Sequence, residues 1–167
     1  MITPELTGTL AAAQAALATN LDWQILNSIP DAAARPAVSG APAEYVEFLR
    51  VHDGAILGAV VILDTKFVEE AQRLIADGKT DLPLGNEEWY CVGKVGDRPV
   101  LVRRADGTVW TFPDPGAVWW QSGDFRQIAD SFGDFVLEYG LGPGYARLAA
   151  AGPDEQWQRL LRHLGRV

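Results

Sequence analysis

Apolar residues near the start of the chain recur at spacings of three and four positions, which is typical of a helix with one buried face. The residues of this stripe are Leu6, Leu10, Ala13, Leu17 and Leu21. Pro4 stands where a helix commonly begins, so the pattern predicts a helix over residues 4–19. A loop rich in Pro, Ala and Ser follows at residues 30–42.

Two further helical stripes flank a run of apolar residues. The first, after Pro42, consists of Tyr45, Phe48, Leu49 and His52, and the second consists of Phe67, Val68, Ala71, Leu74 and Ile75. We expect both stripes, Phe67 included, to face the core. Between them, AILGAVVIL at residues 55–63 is bounded by Gly54 and Asp64 and is predicted to form one buried strand.

The segment WYCVGKVGDRPVLVRRADGTVWTFPDPGAVWW, residues 89–120, predicts an antiparallel meander. Gly96-Asp97 and Asp106-Gly107 fit two-residue hairpin turns, with strands at 89–95, 99–104 and 108–112. A fourth strand is expected around residues Ala117 to Gln121, after the Pro-Asp-Pro-Gly loop.

Tight turns fix strand register, and the register decides which side chains share a face. The predicted register places Arg103 between Tyr90 and Trp110 as a cation–π sandwich. The same face would also hold Val92, Leu101 and Phe112. The opposite face would hold Trp89, Cys91, Val100, Val102, Val109 and Arg104.

The last third of the chain is predicted to be helical. Ser131 and Asp134 form a pair resembling a capping box, and Phe132, Phe135, Val136 and Tyr139 follow as a stripe. The order of helices, antiparallel strands and helices predicts an α+β fold in a single domain, 1–167. Its core would span 42–139, with a C-terminal helical extension at 143–165 that carries Trp157.

Composition narrows the classes of partner. The net charge is −8, and the longest basic run is Arg103-Arg104, so we expect no nucleic-acid binding. The first basic residue is Arg35, and no apolar run has transmembrane length, so we expect neither a signal peptide nor a membrane partner. A lone cysteine, Cys91, fits a reducing compartment, and we predict a cytoplasmic protein.

Candidate catalytic residues are sparse. His52 lies beside Asp53 at a helix end, where it could serve as a general base; such an enzyme would need a concave pocket that holds His52. His52, His163 and Cys91 do not have the spacing of metal ligands. The glycines at 140–144 lack the Lys and Ser/Thr of a phosphate loop. We therefore expect no cofactor, no metal and no enzyme activity, with Cys91 and His52 dispensable.

Aromatic and acidic residues near the end of the predicted sheet form the candidate binding surface. Its residues are Glu87, Glu88, Asp114, Trp119, Trp120 and Asp124. Adjacent side chains of a strand point to opposite faces, so one tryptophan of the pair would be free to anchor a partner, although the domain's own helices could also cover both. The two acidic groups are expected at opposite ends of the meander, so the segment 113–124 is the favoured interface.

Taken in order, these motifs resemble the SUKH superfamily, named partly for a fungal regulator of cell-wall synthesis. Its Pro-initiated helix and following turn are matched by Pro42, Tyr45, Phe48, Leu49 and Asp53-Gly54, with Ala41 in place of the usual Leu. Its sheet and later helix are matched by Gly96-Asp97, Asp106-Gly107, Val109-Trp110, Ser131, Phe132 and Phe135. The resemblance covers residues 42–139.

The resemblance implies helices packed on an antiparallel sheet and no fixed catalytic set. Many bacterial members look like immunity proteins that bind and neutralise polymorphic toxins, whereas fungal members act as regulatory hubs. Two non-enzymatic functions follow: an immunity protein whose partner is a toxin, or a regulatory scaffold without one. The acidity of the chain is compatible with a basic, nuclease-like toxin. The oligomeric state is left open.

Overall fold

A six-stranded antiparallel sheet carries the fold in the computed structural model, which describes residues 2–32, 38–78, 81–114, 116 and 118–167. The strands are β1 Ala55–Leu57, β2 Val60–Ile62, β3 Trp89–Val95, β4 Arg98–Arg103, β5 Val109–Thr111 and β6 Arg126–Ala129. Their order in the sheet is their order in the chain, so every strand pairs with its neighbours in sequence. Together with the helices, this confirms the predicted α+β class.

The helices precede, interrupt and follow the sheet. They are α1 Pro4–Thr19, α2 Leu21–Gln24, α3 Ala43–Leu49, α4 Val68–Ala76, α5 Trp119–Ser122, α6 Phe132–Phe135, α7 Gly144–Ala149 and α8 Gln156–His163. A 3-10 turn spans Asn86–Glu88, and a π-helical segment, Val136–Gly140, continues α6. The predicted cap is present, because the Ser131 hydroxyl accepts from the Asp134 N–H and donates to its carboxylate.

The main core lies between one face of the sheet and the helices α1, α3, α6, α7 and α8. Its largest fully buried side chains are Trp157, Tyr45, Tyr90, Tyr145, Phe48, Phe132 and Phe135. The polar atoms of Trp157, Tyr45 and Tyr145 find partners inside the fold, as buried polar groups generally must. The Tyr45 hydroxyl donates to the Leu63 carbonyl at 2.6 Å.

The apolar run at residues 55–63 is a hairpin rather than the single predicted strand. Its turn lies at Gly58 and Ala59, and Gly58 has the left-handed φ of +64°. The Gly58 N–H donates to Asn27, and the Ala59 N–H donates to the Tyr145 hydroxyl. Because distant buried side chains satisfy this turn, the sequence needs no polar turn residues there and gives no signal of it.

The register predicted for the β3–β4 hairpin is wrong beyond a β-bulge in β3. Counting from the turn, Gly93 pairs with Val100, but the next pair is Cys91 with Leu101, so Val92 is an extra residue. A shift of one position turns the side chains of β3 that lie beyond the bulge from the turn, at residues 89–91, to the opposite face.

The predicted cation–π sandwich is therefore absent. Arg103 stands opposite Trp89 instead of Tyr90, and Arg104 lies over the Tyr90 ring with its guanidinium carbon 5.0 Å from the ring centroid. One face of the sheet holds Trp89, Cys91, Leu101, Trp110 and Phe112, and the other holds Tyr90, Val92, Val100, Val102 and Val109.

Close contacts along the edge of β3 that faces β2 explain the bulge. A Cβ at Gly93 would lie 2.3 Å from the Val61 carbonyl oxygen, so only glycine allows this approach. Farther along, where β2 has ended, the Gln72 side chain of α4 donates to the Cys91 carbonyl and accepts from the Cys91 N–H. The backbone of the bulged strand is thus satisfied by a helix, which local sequence patterns do not reveal.

The predicted fourth strand is also wrong. Trp119–Ser122 forms the short helix α5, Ala117 lies outside the described residues, and the place beside β5 is taken by Arg126–Ala129. Gly123, with φ of +63°, ends α5 and lets the chain return to the sheet. This edge strand is exposed or half-buried, so it lacks the apolar alternation by which strands are recognised.

Phe67 and Leu74 of the predicted core stripe are exposed instead, at 62% and 68% of their surface. The helix α4 begins at Val68, after the Asp64 carboxylate accepts hydrogen bonds from the N–H groups of residues 66 and 67. Val68 is fully buried, and Gln72 faces the sheet. This orientation leaves the i, i+7 pair of Phe67 and Leu74 in solvent.

Gly107 is predicted to be required in the β4–β5 loop. It has φ of +79°, and its N–H donates to the Arg103 carbonyl. The Arg103 N–H donates to the Thr108 carbonyl, so the loop is longer than the predicted two-residue turn. Gly107→Val should lower the free energy of unfolding by about 1–3 kcal/mol, because a branched residue is strained at positive φ. Urea unfolding measures this against Ala105→Val in the same exposed loop; equal midpoints for the two variants would contradict the prediction.

Candidate functional site

An aromatic cluster covers the second face of the sheet, opposite the main core. Trp89, Trp110, Phe112 and Phe125 contact one another, and Phe125 lies 4.9 Å from both Trp89 and Phe112 between ring centroids. Trp119 extends the cluster, with its ring 5.3 Å from Phe112. Aromatic rings at these distances and tilts stabilise one another beyond the area they bury.

The two tryptophans of the pair differ in exposure, which is one of the two alternatives that the sequence left open, although the pair lies in a helix and not in a strand. Trp119 is half-buried against Phe112, whereas Trp120 is 53% exposed and meets Trp119 edge to face. Trp120 is therefore the tryptophan of the pair that can reach a partner.

Asp114 and Asp124 lie on the same excursion of the chain as the tryptophan pair, between β5 and β6. Asp114 is exposed and accepts a hydrogen bond from the Gly116 N–H. Asp124 is half-buried and forms an ion pair with Arg126 at 2.9 Å, so its charge is partly neutralised. Asp114 therefore contributes more negative potential to this surface than Asp124 does.

Glu87 and Glu88 lie at the opposite end of the sheet, as expected. They precede Trp89, which pairs with the last residue of β4. The excursion that carries Asp114 leaves and rejoins the sheet at Thr111 and Arg126, which pair with each other beside the beginning of β4. The structure thus brings together Asp114, Trp119, Trp120 and Asp124 and separates them from Glu87 and Glu88.

Arg98 holds the excursion against the rest of the fold. Its guanidinium group is 3% exposed and donates to the carbonyls of Phe112, Pro113 and Leu148 at 2.7–3.0 Å. Burial lowers the pKa of Arg98 from its usual value. Leu148 lies near the C-terminus of α7, where backbone carbonyls favour a cation.

A groove that the sequence did not predict adjoins Trp119. Its volume is about 620 Å³, and it lies between α4 and the exposed part of the sheet's second face. We call it the α4 groove; its floor is formed by Ile56, Val61, Lys94 and Pro99, and its α4 wall by Phe67, Glu70, Ala71 and Leu74. The sequence did not indicate this groove, because Phe67 and Leu74 were predicted to lie in the core.

Acidic residues line the α4 groove. The carboxylates are Asp53, Asp64, Glu70 and Asp97, and Lys94 supplies one positive charge. Asp53 accepts hydrogen bonds from the Thr65 N–H and hydroxyl, and Asp64 accepts from the N–H groups of Lys66 and Phe67, just before α4. The groove therefore has an acidic rim around an apolar interior.

His52 and Cys91 are buried. The His52 ring lies 3.0 Å, through Nδ1, from the Pro30 carbonyl and contacts Phe48, and His52 does not line the α4 groove. Cys91 borders the groove, and burial raises the pKa of its thiol from 9.0 to about 12. A thiol that stays protonated at neutral pH is a poor nucleophile.

Buried acids of this kind predict a loss of stability at alkaline pH. Burial raises the pKa of Cys91 to about 12 and that of Tyr90 from 10.0 to about 12, and it raises the pKa values of Tyr45 and Tyr145 as well. The folded chain then binds more protons than the unfolded chain, so stability is full below about pH 9 and falls as the pH rises toward 12.

Each fully coupled group should contribute a slope of up to about 1.4 kcal/mol per pH unit. Urea unfolding midpoints measured at intervals from about pH 8 to 11 test this expectation. Because Cys91 ionises before tyrosine in the unfolded chain, Cys91→Ala should flatten the decline most between about pH 9 and 10. An unchanged slope in that variant would contradict the assignment to Cys91.

Within residues 2–32, 38–78, 81–114, 116 and 118–167, no group of three or more His, Cys, Asp and Glu side chains could hold a metal ion. The helices of the same residues include none whose length and apolar character would let it cross a bilayer.

The sequence matches no protein-family model, and a search of curated proteins gives no significant match. The resemblance to the SUKH superfamily accordingly rests on the order and spacing of the motifs quoted above.

Proposed function

We propose that this chain is a protein-binding domain of the SUKH kind and acts as an immunity protein that neutralises a bacterial toxin. One observation carries the proposal: large apolar side chains stand in solvent beside carboxylates on the second face of the sheet. Trp120 is 53% exposed, Phe67 62% and Leu74 68%. Exposed aromatic and aliphatic residues of this size, clustered and rimmed by charge, are typical of protein-binding surfaces.

The charge of the chain supports a basic partner. The net charge is −8, and the carboxylates of Asp114 and of the α4 groove lie beside the exposed apolar residues. A negative surface accelerates encounter with a positive one and disfavours acidic competitors. A toxin that acts on nucleic acid has such a positive surface, because it must bind phosphates.

Immunity can be tested in the genome that encodes the chain. Each neighbouring open reading frame is expressed from an inducible promoter in a heterologous host, alone and together with this protein. We expect one product to stop growth alone and to be tolerated when the chain is present. If one frame is toxic and the chain does not restore growth, or if no neighbouring frame is toxic, the proposal is wrong.

The segment around the tryptophan pair can be tested by measuring binding to the toxin that this assay identifies, at low and high salt. Asp114→Arg combined with Trp120→Ala should weaken binding to the toxin and reduce its dependence on salt, because both residues are exposed and neither supports the core. The control is Glu87→Arg with Leu84→Ala, two exposed residues at the opposite end of the sheet. A folded double variant with unchanged affinity and salt dependence would exclude the segment.

A further inference from the structure

We infer that the α4 groove is the docking site for a basic amphipathic helix of the partner protein. The inference rests on the proposed function in one respect, namely that the partner is a protein. It goes further, because it places the main contact beside α4 and specifies the chemistry of the segment that binds there.

The groove has an apolar floor and an apolar wall. Ile56 and Val61 are cross-strand partners, and Val61 pairs in turn with Lys94, so their side chains form one row across β1, β2 and β3. Ile56 is 40% exposed although it stands in the sheet. Along one side of this row run Phe67 and Leu74, both mainly in solvent.

The spacing of the wall matches a helix. Phe67 and Leu74 are seven residues apart and so lie on one side of α4, separated by roughly 10 Å at the rise of an α-helix. A partner helix that presents apolar residues at i, i+3, i+4 and i+7 covers about the same length with its apolar face. Two turns of such a helix can therefore bury both side chains against the floor.

The rim selects a positively charged helix. Among the described residues that line the groove, Asp53, Asp64, Glu70 and Asp97 outnumber Lys94, so an incoming segment meets an excess of negative charge. Lysine or arginine residues that flank an apolar face would lie within a Debye length of these carboxylates. An acidic segment would be repelled.

Other occupants fit less well. A small polar ligand needs free hydrogen-bonding groups to orient it, but Asp53 and Asp64 already accept from backbone and hydroxyl groups of residues 65–67. A second copy of the chain would bring the same negative charge. Its arginine-bearing helix α8 already buries its apolar residues Trp157, Leu160 and Leu161 in its own core.

A synthetic peptide tests the groove without knowledge of the toxin. The probe is a fluorescein-labelled helical peptide of Leu and Lys with Leu at i, i+3, i+4 and i+7, and binding is measured by fluorescence anisotropy at low and high salt. Two matched peptides serve as controls: one has Glu in place of every Lys, and the other has Gln in place of every Leu. We expect the Leu/Lys peptide to bind, its affinity to fall with salt, and both controls to bind at least about tenfold more weakly.

Paired variants locate the site. Phe67→Ser with Leu74→Ser should weaken the Leu/Lys peptide at least about tenfold, since both residues are exposed anchors whose loss leaves the core intact. The control is Leu21→Ser with Ile25→Ser, which removes two equally exposed apolar side chains from the region of α2. Glu70→Gln with Asp97→Asn should reduce the salt dependence of binding.

Several outcomes would overturn the inference. These are equal binding of the Glu peptide, equal losses in the two serine pairs, or occupancy of the groove by the dye anilinonaphthalene sulfonate when no peptide binds. Growth rescue separates this inference from the proposed function. If the Phe67/Leu74 pair still protects cells fully, the groove is not the docking site and immunity stands. If the peptide binds as expected but no toxin is found, immunity fails and the groove stands.

Discussion

Trp157→Ala should lower the free energy of unfolding by about 3–5 kcal/mol, the range for removal of a large buried aromatic side chain. Trp157 is fully buried, and its indole N–H donates to the Gly140 carbonyl at 2.6 Å. Its Cβ also lies close to Gly58 at the turn of the β1–β2 hairpin. The substitution therefore leaves a cavity where α8, the π-helical segment and the β1–β2 hairpin meet.

Urea unfolding followed by circular dichroism measures this loss. Trp157→Phe separates its two components, because it fills much of the cavity but leaves the Gly140 carbonyl without its donor, which costs about 1–3 kcal/mol. Trp120→Ala is the matched control, since Trp120 is 53% exposed and should change stability by less than about 0.5 kcal/mol. Similar midpoints for Trp157→Ala and Trp120→Ala would contradict the placement of Trp157.

Arg98→Met should cost about 2–4 kcal/mol, the second large effect expected. Three carbonyls, of Phe112, Pro113 and Leu148, lose their donor, and a buried acceptor left unpaired costs roughly 1 kcal/mol or more. Removal of the buried cation relieves its desolvation and offsets part of the loss. Arg98→Lys should restore little, because one ammonium group cannot reproduce the planar fork that reaches all three carbonyls.

The measurement combines unfolding with hydrogen exchange. Arg147→Met, at an exposed position of α7, is the control and should leave the unfolding midpoint nearly unchanged. Amide protons of residues 118–122 should exchange faster in Arg98→Met, since the loop before α5 has lost its anchor. A destabilised variant whose exchange at 118–122 matches the parent would show that Arg98 does not hold this excursion.

Much of the sheet could be predicted from local turn chemistry. Gly96 and Gly107 have φ of +62° and +79°, and the strands on either side of each begin and end near the predicted positions. A glycine in a turn can be recognised from the sequence, because its role depends on the backbone conformation of that residue alone. The α+β class follows from the same local signals.

The bulge at Val92 could not be predicted in this way. It depends on the Val61 carbonyl, which excludes a side chain at Gly93, and on Gln72, which serves the backbone of Cys91. Both contacts join residues far apart in sequence. A periodic pattern in β3 is compatible with either register, and tertiary contacts decided between them.

The exposure of the candidate binding surface was predicted only in part, because it too depends on tertiary contacts. The composition of the 113–124 segment indicated exposed aromatic and acidic residues, and Trp120 and Asp114 are exposed. The α4 groove was missed because a helical stripe shows which residues are apolar but does not show which of them the neighbouring sheet covers. Phe67 and Leu74 belong to such a stripe and remain in solvent.

The contact between α8 and the β1–β2 hairpin has a consequence for biosynthesis. The ribosome makes Gly58 about a hundred residues before Trp157, and every strand can pair with one already made. The main core nevertheless stays open until Trp157 emerges and closes over that hairpin. We therefore expect nascent chains to carry a formed sheet whose apolar face is covered by the earlier helices but still open at the β1–β2 hairpin, which makes them chaperone clients until translation has passed α8.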